Sequence, residues 1–109
     1  MELKQIDTIR REHETIKRER ETIEIYEIGR YTVTVFTYES GYRSISVRGD
    51  GTEYLPEIYS RDDYEGNVLG FDVQTTSYGA LCVDEIRKVV AGLEEATQVA
   101  KILSAEFVK

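Results

Sequence analysis

From Thr22 onward, apolar and polar residues alternate in short runs separated by turn residues, the pattern of an antiparallel sheet that can be read strand by strand. Its clearest run is Tyr31 to Tyr38, β-branched or aromatic at every position, with Tyr31, Val33 and Val35 on one face and threonines on the other. The turn Glu39-Ser40-Gly41 leads into Tyr42 to Arg48, where Ile45 and Val47 alternate with Ser44, Ser46 and Arg48. Upstream, Thr22 to Ile28 alternates in the same way and ends at Gly29-Arg30, which suits a two-residue hairpin turn with glycine first. Downstream, the turn Gly49-Asp50-Gly51 opens a fourth segment, Thr52 to Tyr59. Pro56 confines that segment to an edge strand or breaks it. After the polar loop Arg61 to Asn67, Val68 to Thr75 reads as a fifth strand with Leu69, Phe71 and Val73 on one face. The expected topology is a meander of four or five strands over residues 22–75.

Before Thr22 the pattern changes. Leu3, Ile6, Ile9, Ile16 and Ile23 fall near a three-and-four spacing among charged residues, which predicts a charged amino-terminal helix over residues 1–21. Opposite charges one helical turn apart, such as Asp7 and Arg11 or Lys17 and Glu21, would each add a few tenths of a kcal/mol. Where a coiled-coil seam wants further apolar residues it carries His13 and Arg20, so the apolar stripe is narrow. Such a helix lies across the sheet edge or pairs with a second copy, which makes Ile6, Ile9 and Ile16 the candidate self-association residues of a homodimer. A competing reading continues the helix to about Ile28.

At the other end, Cys82-Val83-Asp84-Glu85 has the layout of a capping box with a thiol in the hydroxyl's place. Ile86, Val89, Val90, Leu93, Ala96, Ala100, Leu103 and Phe107 then form one apolar stripe. The expectation is a long helix over residues 83–107 that covers one sheet face, with Gly92 placed where a neighbour comes close. Together these elements predict a single α+β domain over residues 1–109.

Composition narrows the chemistry. The chain of 109 residues has a net charge of −7, which disfavours direct binding to nucleic-acid phosphates. One cysteine precludes an internal disulfide and a cysteine-based zinc site, and no apolar run approaches a membrane span, so a cytoplasmic location with no membrane contact is expected. His13, the sole histidine, lacks the neighbours of a metal or general-base site and reads as a surface residue. Cys82 at a helix start could be an activated thiol, but packing is the plainer role. The carboxylates Glu57, Asp62, Asp63, Glu65 and Asp72 gather around one loop without the spacing of a calcium loop, and read as a solvated acidic surface. No catalytic residue, metal or cofactor is assigned. Arg48-Gly49-Asp50 reads as a turn, and Thr75 to Gly79 as a strand-to-helix connection.

The eight tyrosines stand out. Some must face away from the helix, where rigid amphipathic rings serve as anchors for a protein. The candidate partner surface is Tyr26, Tyr38, Tyr42, Tyr54 and Tyr59 with Asp62, Asp63 and Glu65. The expectation is a small non-enzymatic interaction or regulatory domain with a protein partner, with the general look of small acidic bacterial or phage proteins. The alternative is an acidic protein that imitates nucleic acid and occupies a basic groove of its target. That alternative requires one contiguous acidic face, sought around Glu57 to Asp72. A third reading, a small enzyme using Cys82 and the hydroxyls before the helix, requires a pocket at that helix start.

Overall fold

A computed structural model describes residues 1–12 and 19–108. Among the described residues six strands, β1 (Lys4–Glu12), β2 (Arg20–Ile28), β3 (Tyr31–Tyr38), β4 (Arg43–Gly49), β5 (Glu57–Asp62) and β6 (Val68–Gln74), precede one helix, α1 (Val83–Phe107). They form two antiparallel sheets, a four-stranded one in the order β1-β2-β3-β4 and a hairpin of β5 and β6. This corrects the expected layout in two places.

The first correction is the amino terminus, where residues 4–12 form a strand and not a helix. β2 offers a ladder to pair with, and eight residue pairs join it to β1, from Lys4↔Glu27 to Glu12↔Arg20. A solitary helix with about one isoleucine per turn has no comparable anchor, because short helices are marginal without a buried face. The i,i+4 charge pairing is replaced by a cross-strand one, in which Arg11 Nε donates to Glu21 Oε1 at 2.8 Å. His13 and Ile16 lie outside the described residues, as do Glu14, Lys17 and Arg18.

The second correction is the break between β4 and β5. β5 starts immediately after Pro56, which has no N–H to give to a ladder, and the preceding residues leave the sheet through Tyr54 at φ 67°. β5 therefore pairs with β6 and forms no ladder with β4.

The β2–β3 connection is the anticipated two-residue turn, with Gly29 at φ 55°. Arg30 in that turn ties it to α1. Its backbone N–H and its Nε each donate to the Glu95 carboxylate at 3.0 Å.

The core lies between the four-stranded sheet, the hairpin and the second half of α1. Ile28, Tyr31, Val33, Val35 and Ile45 meet Ile58, Val68 and Phe71 and, from the helix, Ala96, Val99, Ala100, Leu103 and Phe107. Tyr31 is buried because its hydroxyl donates to the Pro56 carbonyl at 2.5 Å, which offsets the desolvation of its polar end. Gly92 is where the helix reaches the β4–β5 loop: a Cβ built there would stand 2.3 Å from the Tyr54 carbonyl oxygen.

In β6 a register irregularity falls between Arg61 and Asp62 of its partner, so that Gly70 and Val68 are paired and Leu69 is not. Leu69 is consequently exposed and Val68 buried, against the simple alternation expected of that strand.

Candidate functional site

Two parts of the elongated molecule, 54 × 26 × 25 Å, lie outside the core. In one, the first half of α1 leaves Val83, Ile86 and Val90 exposed. It is held at its start by Tyr54, whose hydroxyl donates to Glu85 at 2.6 Å, and by the Cys82 N–H, which donates to the same carboxylate at 3.1 Å. Led by the Tyr54 hydrogen bond, these contacts hold the Glu85 carboxyl down to about 2. The other part outside the core is β1, the outermost strand of the four-stranded sheet, paired with β2 alone among the described strands.

Every residue of β1 is exposed. It is an edge strand: β2 lies on one side, and its other row of backbone groups faces no strand among the described residues. A bulge between Gln5 and Asp7 sets Ile6 out of register, after which Asp7 to Glu12 pair regularly.

The registers across the sheet define what lies beside that edge. Residues directly opposite one another point to the same face. Ile9 stands opposite Ile23 and Ile23 opposite Phe36, a row running perpendicular to the strands on the face turned away from α1. Ile23 is 5% exposed, yet it belongs to no part of the core beneath the helix. Next to this row, Arg11 stands opposite Glu21 and Glu21 opposite Tyr38. Glu21 is a buried carboxylate, and the Arg11 guanidinium supplies the charge partner that its burial requires. Burial first, then the carboxylates of Glu21 and Glu19, push the Tyr38 phenol up.

This face was only partly visible in the sequence. Sequence alone places Ile23 only in the amino-terminal stripe, and Ile25 and Phe36 in no candidate site. The signal was present: β2 carries Ile23 and Ile25 at odd positions, then Tyr26 and Ile28 at even ones, so it buries different faces at its two ends. In β3, Phe36 likewise interrupts the threonine face.

The proposed partner residues do not converge on one surface. Tyr26 faces the helix side, its hydroxyl 2.8 Å from Glu24 and its ring edge-on to Phe107 at 5.9 Å; burial, then Glu24, push its phenol up to about 12. Tyr38 lies on the outer face, with its ring centroid 5.9 Å from that of Tyr42. Tyr42 also packs under Gly66 of the β5–β6 turn, where a Cβ would meet its ring at 2.8 Å. Tyr54 sits by Tyr78 at the helix start, and Tyr59 projects from β5 with its hydroxyl on Glu57.

Asp63 is occupied in shaping the turn, accepting from the N–H groups of Glu65 and Asn67 at 2.8 and 2.9 Å and from the Asn67 side chain at 2.9 Å. Asp62 accepts from the Ser60 hydroxyl at 2.5 Å. Arg61 stands among these carboxylates and pairs with Asp72 at 3.3 Å, so the region from Glu57 to Asp72 is not uniformly acidic. Asp50 likewise accepts from the Thr52 N–H at 2.8 Å, closing the turn after Gly49. Of the candidate self-association residues, Ile6 and Ile9 project from β1, and Ile16 lies outside the described residues.

Where β4 and β5 part, a cleft of about 410 Å³ opens between Ser46–Gly49 and Glu57–Tyr59. A second, of about 310 Å³, places Arg30, Glu53 and Lys88 near Tyr54. Neither is lined by Cys82 or by residues 75–79, although Cys82 is exposed. Among the described residues no three His, Cys, Asp or Glu side chains come together as a metal site. Among the described residues no helix is long and apolar enough to cross a membrane. Compared with protein-family models, with curated proteins and with solved structures, the chain matches none.

Proposed function

We propose that the chain is a small non-enzymatic protein-interaction domain of the cytoplasm whose binding element is the open edge of β1. One observation carries this reading: β1 is exposed along its whole length and presents an open backbone edge beside the Ile9–Ile23–Phe36 row. An extended segment added at that edge gains main-chain hydrogen bonds from β1, and its alternate side chains fall beside Ile9, the exposed end of the apolar row. Tyr38, on the same face, extends the surface toward Tyr42.

The reading is tested by placing a photoreactive residue at Ile9 in the full chain, in cells that make the protein, with Tyr64 on the exposed β5–β6 turn as the control position. Covalent adducts with protein are expected from position 9 and not from position 64. No adduct from position 9, or equal yields from both positions, overturns it.

A further inference from the structure

Resting on that reading, we infer that the segment added to the β1 edge is β1 of a second copy, paired antiparallel about a two-fold axis at Ile9.

The register follows from charge and parity. In a two-fold antiparallel pairing, directly opposite residues share a face, so the axis passes through a residue position and not between neighbours. The bulge at Ile6 limits regular pairing to Asp7 and beyond. An axis at Asp7, Arg10, Arg11 or Glu12 would set each of these against its own copy, placing like charges in contact. An axis at Thr8 would place each Asp7 against an Ile9. An axis at Ile9 sets Ile9 against Ile9, Thr8 against Arg10, and Asp7 against Arg11 twice over, one opposite-charge pair on each side of the centre. Asp7, Ile9 and Arg11 all lie on the outer face, shared with Ile25, Ile23 and Glu21.

The same axis joins what each copy already has. The row Phe36, Ile23, Ile9 continues into Ile9, Ile23, Phe36 of the second copy, giving six apolar residues in line across an eight-stranded sheet. Net charge does not oppose the approach of the two edges. β1 holds three Lys and Arg against two Asp and Glu, whereas the whole chain holds fourteen against twenty-one.

The test replaces the exposed native thiol, Cys82→Ser, and adds Ile9→Cys or Thr8→Cys to the full-length protein. Light scattering on a sizing column is expected to give twice the chain mass for the unaltered protein. Mild oxidation is expected to cross-link the Ile9→Cys chain into a covalent dimer. The Thr8→Cys chain, with Arg10 opposite it, should stay uncross-linked. Asp7→Arg, which sets arginines opposite one another, is expected to return the chain to a monomer with an unchanged circular dichroism spectrum. A monomeric mass with no Ile9→Cys cross-link overturns the inference, and so does cross-linking of Thr8→Cys at least as fast as Ile9→Cys. If the chain is monomeric while position 9 still photo-cross-links to a different protein, self-pairing fails and the interaction reading survives. If position 9 gives no adduct of either kind, both fail.

Discussion

Tyr31, Val33 and Val35 of β3 lie under α1 and the β5–β6 hairpin with almost no surface in water, whereas every residue of β1, two strands away in the same sheet, is exposed. Both strands contain β-branched residues and both have a ladder on at least one side. They differ in what covers them. β3 has two neighbours and a helix, while β1 has one neighbour and an open edge. A strand's own residues therefore support its pairing, but its share of the stability depends on the layer packed against it. A strand without such a layer leaves its edge available for recognition.

The contrast can be broken most severely at its buried side. Leu103→Ala removes a side chain with no exposed surface and is expected to cost about 2–5 kcal/mol in urea denaturation. A loss under about 1 kcal/mol would mean that the helix is not the layer that holds β3.

Alkali provides a second approach. Burial, the largest cause, pushes the Tyr31 phenol from 10.0 up to about 12. Below pH 10 the phenol is neutral in both states. As pH rises through this window it ionises first in the unfolded chain, so stability falls, by on the order of 2 kcal/mol. Comparing the pH dependence with that of Tyr31→Phe isolates the effect, which should vanish in the variant.

Gly92→Ala tests the helix–loop contact. Helix propensity alone favours alanine by about 1 kcal/mol, but the added methyl would meet the Tyr54 carbonyl at 2.3 Å. A net loss of about 1–3 kcal/mol is expected by thermal melting. A gain would show that the loop moves aside freely.

The smallest effect belongs to the edge strand β1. Ile9→Ala is expected to change the stability of the isolated fold by less than about 1 kcal/mol in the same urea assay, because Ile9 is 39% exposed. Its loss should appear in association instead, as a lower solution mass at equal concentration.

The same contrast explains what could be read from the chain. Alternation in Tyr31 to Tyr38 and the 3.6-residue stripe from Ile86 to Phe107 report faces that are buried, and there β3 and α1 form. Residues 4–12 have no buried face, so their periodicity carried no such constraint. The spacing of Leu3, Ile6 and Ile9 suited a helix, and only the presence of β2 as a ladder partner decided for a strand. The division into two sheets was foreshadowed by Pro56, but its extent depends on Tyr54 and Gly92, thirty-eight positions apart, meeting in space. The outer row was harder still to see, because Ile9, Ile23 and Phe36 come from three strands and become neighbours only once the registers are known.

The order of elements along the chain has a consequence for biosynthesis. Every ladder joins strands that are consecutive in sequence, so the four-stranded sheet can zip up as it leaves the ribosome. The helix that seals it is made last. Fifty-eight residues separate the end of β4 at Gly49 from Phe107, which at roughly 5–20 residues per second is on the order of 3–12 s of synthesis. Throughout that interval the nascent chain carries Tyr31, Val33, Val35 and Ile45 on a sheet that at most the β5–β6 hairpin can cover. The interval ends only when the last turn of α1 brings Leu103 and Phe107 down onto them.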